Sequence, residues 1–193
     1  QRRGESLEIR ERDEVETLGL LVAARSEPLP GWRATSGVEA YHDRVASAAF
    51  SSDLATGVTT GRRGLYPDGA TATSLAAFTL HSLDVGRLGL TLGGRLNSYA
   101  IAADDPVVGP IDVRPRALVG NASALFRLAE GQHLVASVNT GFRAPNVSDI
   151  GSLGPFDFGV EVPWPYLEPE RSLPLGLGHK ARVGPVASAV ALF

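Results

Sequence analysis

The 193-residue sequence contains no cysteine and no methionine, and Lys180 is its only lysine. Without cysteine there is no disulfide framework, thiolate zinc site or thiol nucleophile. With cationic charge carried almost wholly by arginine and a formal net charge of -3, a basic nucleic-acid surface is not indicated. No apolar run reaches the length of about 18 residues that a transmembrane helix needs. That criterion leaves a transmembrane β-barrel open, because barrel strands alternate and give weak hydropathy signals. The missing methionine, and the lack of an apolar stretch behind Gln1, Arg2 and Arg3, lead us to expect an internal or mature piece of a longer protein without a signal peptide.

What the chain does have is alternation with a period of two. In "LGLTLGGRLNSYA", Leu88, Leu90, Leu92 and Leu96 share one face, and Gly89, Thr91, Gly93, Arg95 and Asn97 the other. "RALVGNASALFRL" places Leu118, Gly120, Ala122, Ala124, Phe126 and Leu128 opposite Asn121, Ser123 and Arg127. "HLVASVNTGF" sets Leu134, Ala136, Val138 and Phe142 against His133, Ser137, Asn139 and Gly141, with Arg143 next on the polar side. Weaker versions carry Ala76, Phe78 and Leu80 on one face, and Val38 and Ala40 opposite Glu39, Tyr41 and Asp43. Near the C-terminus Leu173, Leu175 and Leu177 oppose Ser172, Gly176, Gly178 and Lys180. The pattern predicts about eight antiparallel strands, at roughly 15–26, 32–48, 70–83, 88–102, 115–128, 133–144, 170–182 and 185–193.

The connections alternate in length. Short ones near Pro28, Asp84–Arg87, Ala129–Gln132 and Val183–Pro185 have hairpin-turn chemistry. Long ones, about 51–69, 103–114 and 146–169, separate them. This sorting suits an up-and-down outer-membrane barrel with its long loops outside the cell, and the apolar residues then face lipid. Two other architectures remain: a self-contained eight-stranded outer-membrane barrel with a structural or adhesive role, and a soluble β-sheet binding protein. The first requires the first strand to pair with the last, and the second requires Leu90, Leu92, Leu134 and Val138 in a protein core.

Several residues could carry chemistry. "TTGRRGLYPDG" puts Arg62, Arg63 and Tyr66 on a long loop, a set suited to an anionic, catechol-like or carboxylate ligand. Trp164 and Tyr166, either side of Pro165, place aromatics on another. The acidic "ADDP" at Ala103–Pro106 is a thin candidate for calcium, since two aspartates make an incomplete oxygen shell. His42, His81, His133 and His179 show no metal-ligand spacing. No nucleophile elbow, zinc-protease motif or phosphate loop is present, so enzymatic activity and a bound cofactor are not expected.

"NTGFRAPNVSDI", followed by "PWPYLEPERS", resembles the strand, loop and strand of TonB-dependent outer-membrane receptors. Phe142, Arg143, Ala144 and Pro145 match the family's F-R-A-P box, and Leu167, Pro169, Glu170 and Ser172 match the segment leading into the returning strand. Two departures stand out: Trp164, Pro165 and Tyr166 replace the family's short polar turn, and Gly176, beside Pro174, replaces a usual glutamate. Pro174 lacks a ladder donor, so that strand is expected to be irregular or at an edge of the sheet. The resemblance implies a part of a barrel of about 22 strands, with the plug and the box that contacts TonB outside this chain. It also implies cell outer-membrane localisation, uptake of a ferric siderophore or similar large nutrient with energy delivered by the TonB complex, and contact with the lipid bilayer and lipopolysaccharide. No histidine lies between Ala144 and Leu167, where haem-uptake members carry one. By parity Phe142 is expected in a lipid-side aromatic girdle and Arg143 on the lumen side, where Glu170 could meet it as an ion pair across neighbouring strands.

Overall fold

The structure is a computed structural model that describes residues 7–107, 109–156, 159–164 and 166–193. Gln1, Arg2, Arg3 and Pro165 lie outside the described residues. Eight long strands form one antiparallel path: β1 (Leu7–Leu29), β2 (Trp32–Asp53), β4 (Thr71–Val85), β5 (Leu88–Asp105), β7 (Arg116–Ala129), β8 (Gln132–Asn139), β13 (Leu175–Val183) and β14 (Val186–Leu192). Short β3 (Thr59–Arg63) and β6 (Gly109–Val113) extend the sheet by pairing with β2 and β5. β1 and β14 are the two ends of the path and do not pair, so the sheet is an open part of a barrel and not a closed eight-stranded one.

Four tight connections join strands at one end, where Leu29 pairs with Trp32, Val85 with Leu88, Ala129 with Gln132 and Val183 with Val186. At the other end the connections are long and structured. The stretch expected as loop 51–69 contains β3, and 103–114 contains β6. The stretch 146–169 contains a short helix α1 (Val147–Gly151) and the hairpin β10 (Gly154–Phe156) with β11 (Gly159–Glu161). β1 and β2 also exceed the expected 15–26 and 32–48, because their register continues unbroken from Val15↔Val45 to Leu7↔Asp53. A hydrogen-bond ladder needs no apolar face, and in this charged extension Arg10 pairs with Glu8, and Arg12 with Glu14, two residues along the same face.

Register fixes which side chains share a face. Leu96 lies opposite Leu118, Leu92 opposite Ala122, Ala122 opposite Val138 and Val138 opposite Leu175. This row stays open to the surroundings: Leu92 is 55% exposed, Leu118 78% and Leu175 61%. An apolar surface continuous over so many strands is far larger than a water-soluble monomer shows, and it faces hydrocarbon. The soluble reading needed Leu90, Leu92, Leu134 and Val138 in a protein core; Leu90 is half-exposed and the other three are exposed, so that reading is excluded.

One strand reverses its expected polarity. In β4, Phe78 lies opposite Gly37 and Arg95, and Leu80 opposite Gly93, so Ala76, Phe78 and Leu80 belong to the inner face. Gly37 makes the room: a Cβ there would sit 2.7 Å from Phe78 Cζ. The Arg95 guanidinium stacks 5.9 Å from the centroid of the Phe78 ring and pairs with Glu39 on β2, across the small Ala76. The lipid side of β4 is instead Leu75, Ala77, Thr79, His81 and Leu83.

The expected strand 133–144 breaks at Thr140. Thr140 donates its N–H to Gly120 O, but the N–H of Gly120 is taken by the threonine hydroxyl at 2.6 Å. Beyond the break the chain becomes β9 (Gly141–Arg143), which pairs with β12 (Glu170–Ser172). The returning strand is interrupted too, at Leu173 and Pro174, where Pro174 O accepts from Asn139 N–H at 3.0 Å before β13 begins. The buried core lies at the long-loop end and comprises Val45, Ala70, Ile101, Ile111, Val147 and Ile150. Ile150 is only 1% exposed, and such burial contributes about 1.5–3 kcal/mol per side chain.

Candidate functional site

The long-loop end gathers the residues with ligand-binding chemistry. α1 begins at Asn146, whose side-chain oxygen accepts from Asp149 N–H at 2.9 Å, while Asp149 Oδ2 accepts from Asn146 N–H at 3.0 Å. This reciprocal capping box orders a helix of one turn. Its apolar side, Val147 and Ile150, enters the core, which turns Asp149 outward.

Arg143 is the hub above it. Its Nη1 donates to Glu170 Oε1 at 2.8 Å, and its Nη2 donates to Asp149 at 3.0 and 3.1 Å. Arg143 and Glu170 are directly opposed in the β9–β12 pair, so the ion pair suggested by the strand count is present. The hydrogen bond to Glu170, and then the charge of Asp149, raise the Arg143 pKa above its ordinary value. Beside the hub lies an open cavity of about 410 Å³, with Pro145, Leu167 and Val162 in its wall. Asp149, Glu161, Glu168 and Glu170 line it together with Arg143, so its charge is predominantly negative.

Phe142 requires a correction. Its ring lies 5.9 Å from that of Tyr99, which shares the inner face with Arg95 and Asn97. It therefore belongs to the inner side and not to a lipid-side girdle. The break at Thr140 is the physical reason, since a parity count does not carry across an interrupted ladder.

The arginine pair is also divided. Arg62 lies opposite Ala49 and is exposed, with no side-chain partner among the described residues. Arg63 lies opposite Ala48 and is engaged with Asp105, with the carbonyls of Gly64 and Leu65, and with Gly151 O at 2.6 Å. Tyr66 packs against the core, and its N–H donates to Ser47 Oγ. Arg63 and Tyr66 are thus framework for the loops. Trp164 and Tyr166 are 58% and 79% exposed and meet edge to face with centroids 6.0 Å apart. Among the family-box residues Pro145 is buried, Ala144 and Pro169 are half-buried, and Leu167 borders the cavity.

Asp105, from the acidic stretch considered for calcium, has a fully buried side chain committed to Arg63 and to Val107 N–H. Among the described residues no cluster of three or more acidic or histidine side chains is placed to hold a metal ion. Sequence reasoning missed Asp149 and the pairing of Asp105 with Arg63. The first had a readable signal, the Asn146-x-x-Asp149 spacing of a capping box; the second had none, because the two residues lie 42 positions apart.

A family model described as "TonB dependent receptor-like, beta-barrel" matches residues 13–193. The chain is 26% identical over 164 residues to the ferric aerobactin receptor of Escherichia coli, across 80% of this chain and 22% of that protein. Among solved structures, the copper transporter OprC aligns with a TM-score of 0.79 at 18% identity, over 95% of this chain and 30% of that one. The hemophore receptor HasR of Serratia marcescens, solved as a double mutant with its hemophore HasA and heme, gives 0.70 at 18%, over 95% and 33%. The ferric citrate transporter FecA gives 0.66 at 14%, over 96% and 27%. The chain therefore spans between a fifth and a third of the length of these relatives. At such identities the structural likenesses speak for the fold, and the differing names speak against reading a ligand from it.

Proposed function

Because the chain belongs to the TonB-dependent receptor β-barrel family and is thus an outer-membrane protein, we propose that it forms part of the wall and ligand-facing loops of a receptor that imports a ferric siderophore or similar large nutrient. In this reading the long-loop end faces outside the cell, the remaining barrel and a plug come from polypeptide beyond these residues, and the TonB complex supplies the energy. The role is binding and transport, not catalysis.

The observation that carries the reading is that the long loops do not trail as coil. Arg63, Asp105 and Gly151 O join three of them, and Leu153 N–H donates to Leu65 O at 3.0 Å. A platform held in this way presents its exposed groups at low entropic cost on binding. Arg62, Trp164 and Tyr166 are the ligand contacts we assign: a guanidinium whose donor fork has no partner among the described residues suits anionic or catechol-like oxygens, and rigid aromatics supply contact area.

The test uses the full-length receptor in an iron-starved outer-membrane host, with radiolabelled ferric aerobactin and ferric citrate as probes. Replacing both Trp164 and Tyr166 by alanine is expected to weaken binding about tenfold or more, as loss of exposed aromatic anchors does, with surface expression unchanged. Undiminished binding of a probe that the receptor imports overturns the assignment of these loops.

A further inference from the structure

Two exposed arginines, Arg44 and Arg116, stand on the lipid-facing side of the sheet. Arg44 on β2 lies opposite Thr71 on β4, and Arg116 on β7 lies opposite Ser98 on β5. Alternation puts Arg44 on the face of Val38 and Ala40, and Arg116 on the face of Leu118. Glu16 stands opposite Arg44 on β1, yet among the described residues neither arginine makes an ion pair or a side-chain hydrogen bond. Both lie about a dozen residues from the tight turns, roughly 30 Å along the barrel axis for strands rising ~3.3 Å per residue at a tilt of about 40°. That is the thickness of the hydrocarbon, so the two guanidiniums mark its boundary on the long-loop side. Below Arg44 the same face carries an apolar groove of about 400 Å³, lined by Leu20, Val38, Ala40, Leu75, Ala77 and Leu96. Ala40 lies opposite Leu75, and Ala77 opposite Leu96, so small side chains alternate with large ones and leave the depression. Ser98, opposite Arg116, closes one side of it. Between the groove and Arg44 comes His42, held by Thr73 at 2.9 Å.

We propose that this face seats one phosphorylated glycolipid of the outer leaflet, with an acyl chain in the groove, one phosphate on Arg44 and a second on Arg116. An apolar groove that ends in cations is complementary to an amphiphile with an anionic head, and the guanidinium fork fits phosphate oxygens. Three strand spacings of about 4.8 Å and about four residues of 3.3 Å separate the two arginine Cα atoms by roughly 20 Å. Side chains in strands stand roughly perpendicular to the sheet, so one phosphate does not meet both guanidiniums. A headgroup phosphorylated at both ends does, which favours the glycolipid over a phospholipid with its single phosphate. The inference rests on the receptor reading for orientation alone, that the long-loop end faces outside the cell.

The full-length receptor is purified in mild detergent from a host with short, uniform lipopolysaccharide, and its retained lipid is weighed by native mass spectrometry. The expected increment is one lipopolysaccharide per barrel. Replacing both arginines, Arg44→Gln with Arg116→Gln, is expected to lower that retention about tenfold or more, since each arginine near a membrane surface contributes on the order of fivefold. The unaltered receptor supplies a second measurement that no folding defect affects. Stripped of lipid, it is expected to rebind lipopolysaccharide about tenfold more tightly than the same lipid after enzymatic removal of its lipid phosphates. Equal retention by the two proteins, equal binding of the two lipids, or a phospholipid in the place of the glycolipid overturns the site. Import of the labelled ferric probe is measured on the same cells. Import without retained lipopolysaccharide overturns the site and leaves the receptor reading standing, whereas retained lipopolysaccharide without import supports the site and counts against the choice of nutrient.

Discussion

The guanidinium of Arg63 lies 2.7 Å from the carboxylate of Asp105, a residue 42 positions away whose side chain has no exposed surface. The pair stands where β3, the β5–β6 connection and α1 meet, and Arg63 completes its donors with three backbone carbonyls. Such a contact is worth more as a constraint than as a gain in free energy, because forming it desolvates two charges.

Removing one partner leaves the other charge buried, so Asp105→Ala is expected to cost about 3–5 kcal/mol. The loss should be local to the long-loop end. Limited proteolysis of the folded receptor checks this, with cleavage expected within 64–69 and 147–153 while the strands remain protected. A uniform loss of strand protection, or no new cleavage, contradicts the assignment.

Asp53 makes the turn after β2 sensitive to acid. Ala55 N–H donates to its carboxylate at 2.8 Å, and Thr56 Oγ1 donates to it at 2.9 Å. The Ala55 bond, and then the Thr56 bond, lower its pKa below the ordinary aspartate value of 3.8. A depressed carboxylate pKa stabilises the folded form above the unfolded pKa, and that contribution is lost as pH falls through the folded one. Protection of the Ala55 amide from hydrogen exchange, corrected for intrinsic rate, is expected to hold at neutral pH and to fall below the ordinary aspartate range. Asp53→Asn should remove this dependence.

How much of this was legible in the sequence follows from where each feature's partners lie. The Leu88–Leu96 and Leu118–Leu128 alternations are local, and they mark the lipid-facing side because a strand's own pleat sets its two faces. Phe78 and Leu80 misled, since their side is decided by glycines on neighbouring strands. Phe142 misled because Thr140 interrupts the ladder through its hydroxyl, which composition does not announce. The Arg143–Glu170 pair was reachable from spacing, whereas Arg63 looked like a free loop cation until Asp105 was brought beside it.

Trp32, His81, Thr79 and Ser36 form a hydrogen-bonded chain on the lipid side near the tight turns. Trp32 Nε1 donates to His81 Nδ1 at 3.2 Å, His81 Nε2 lies 2.9 Å from Thr79 Oγ1, and Thr79 Oγ1 lies 2.7 Å from Ser36 Oγ. The indole N–H can only donate, so Nδ1 is its acceptor and Nε2 is the ring nitrogen turned to Thr79. Trp32→Phe keeps an aromatic ring but removes the donor, leaving Nδ1 unpaired. The expected cost is about 1–3 kcal/mol, read from urea-induced unfolding of the barrel in lipid vesicles. Equal stability of the two proteins sinks the idea that this bond matters.

Gly131 tests the tight-turn end. It holds φ at +69°, and a Cβ added there would sit 2.5 Å from Arg182 O, the carbonyl of the neighbouring strand. Its own carbonyl accepts from Arg182 N–H at 2.7 Å, so the turn cannot swing away without losing that bond. Gly131→Ala therefore meets both backbone strain and a backbone clash, and about 1–3 kcal/mol is expected for such a site. Gly94, on β5, is the control: it has ordinary φ and nothing within 4 Å of an added Cβ. Gly94→Ala should stay within about 0.5 kcal/mol of the parent. The two variants, compared by unfolding in the same vesicles, separate the geometric demand at the turn from the general effect of adding a methyl group. Equal effects at both positions contradict it.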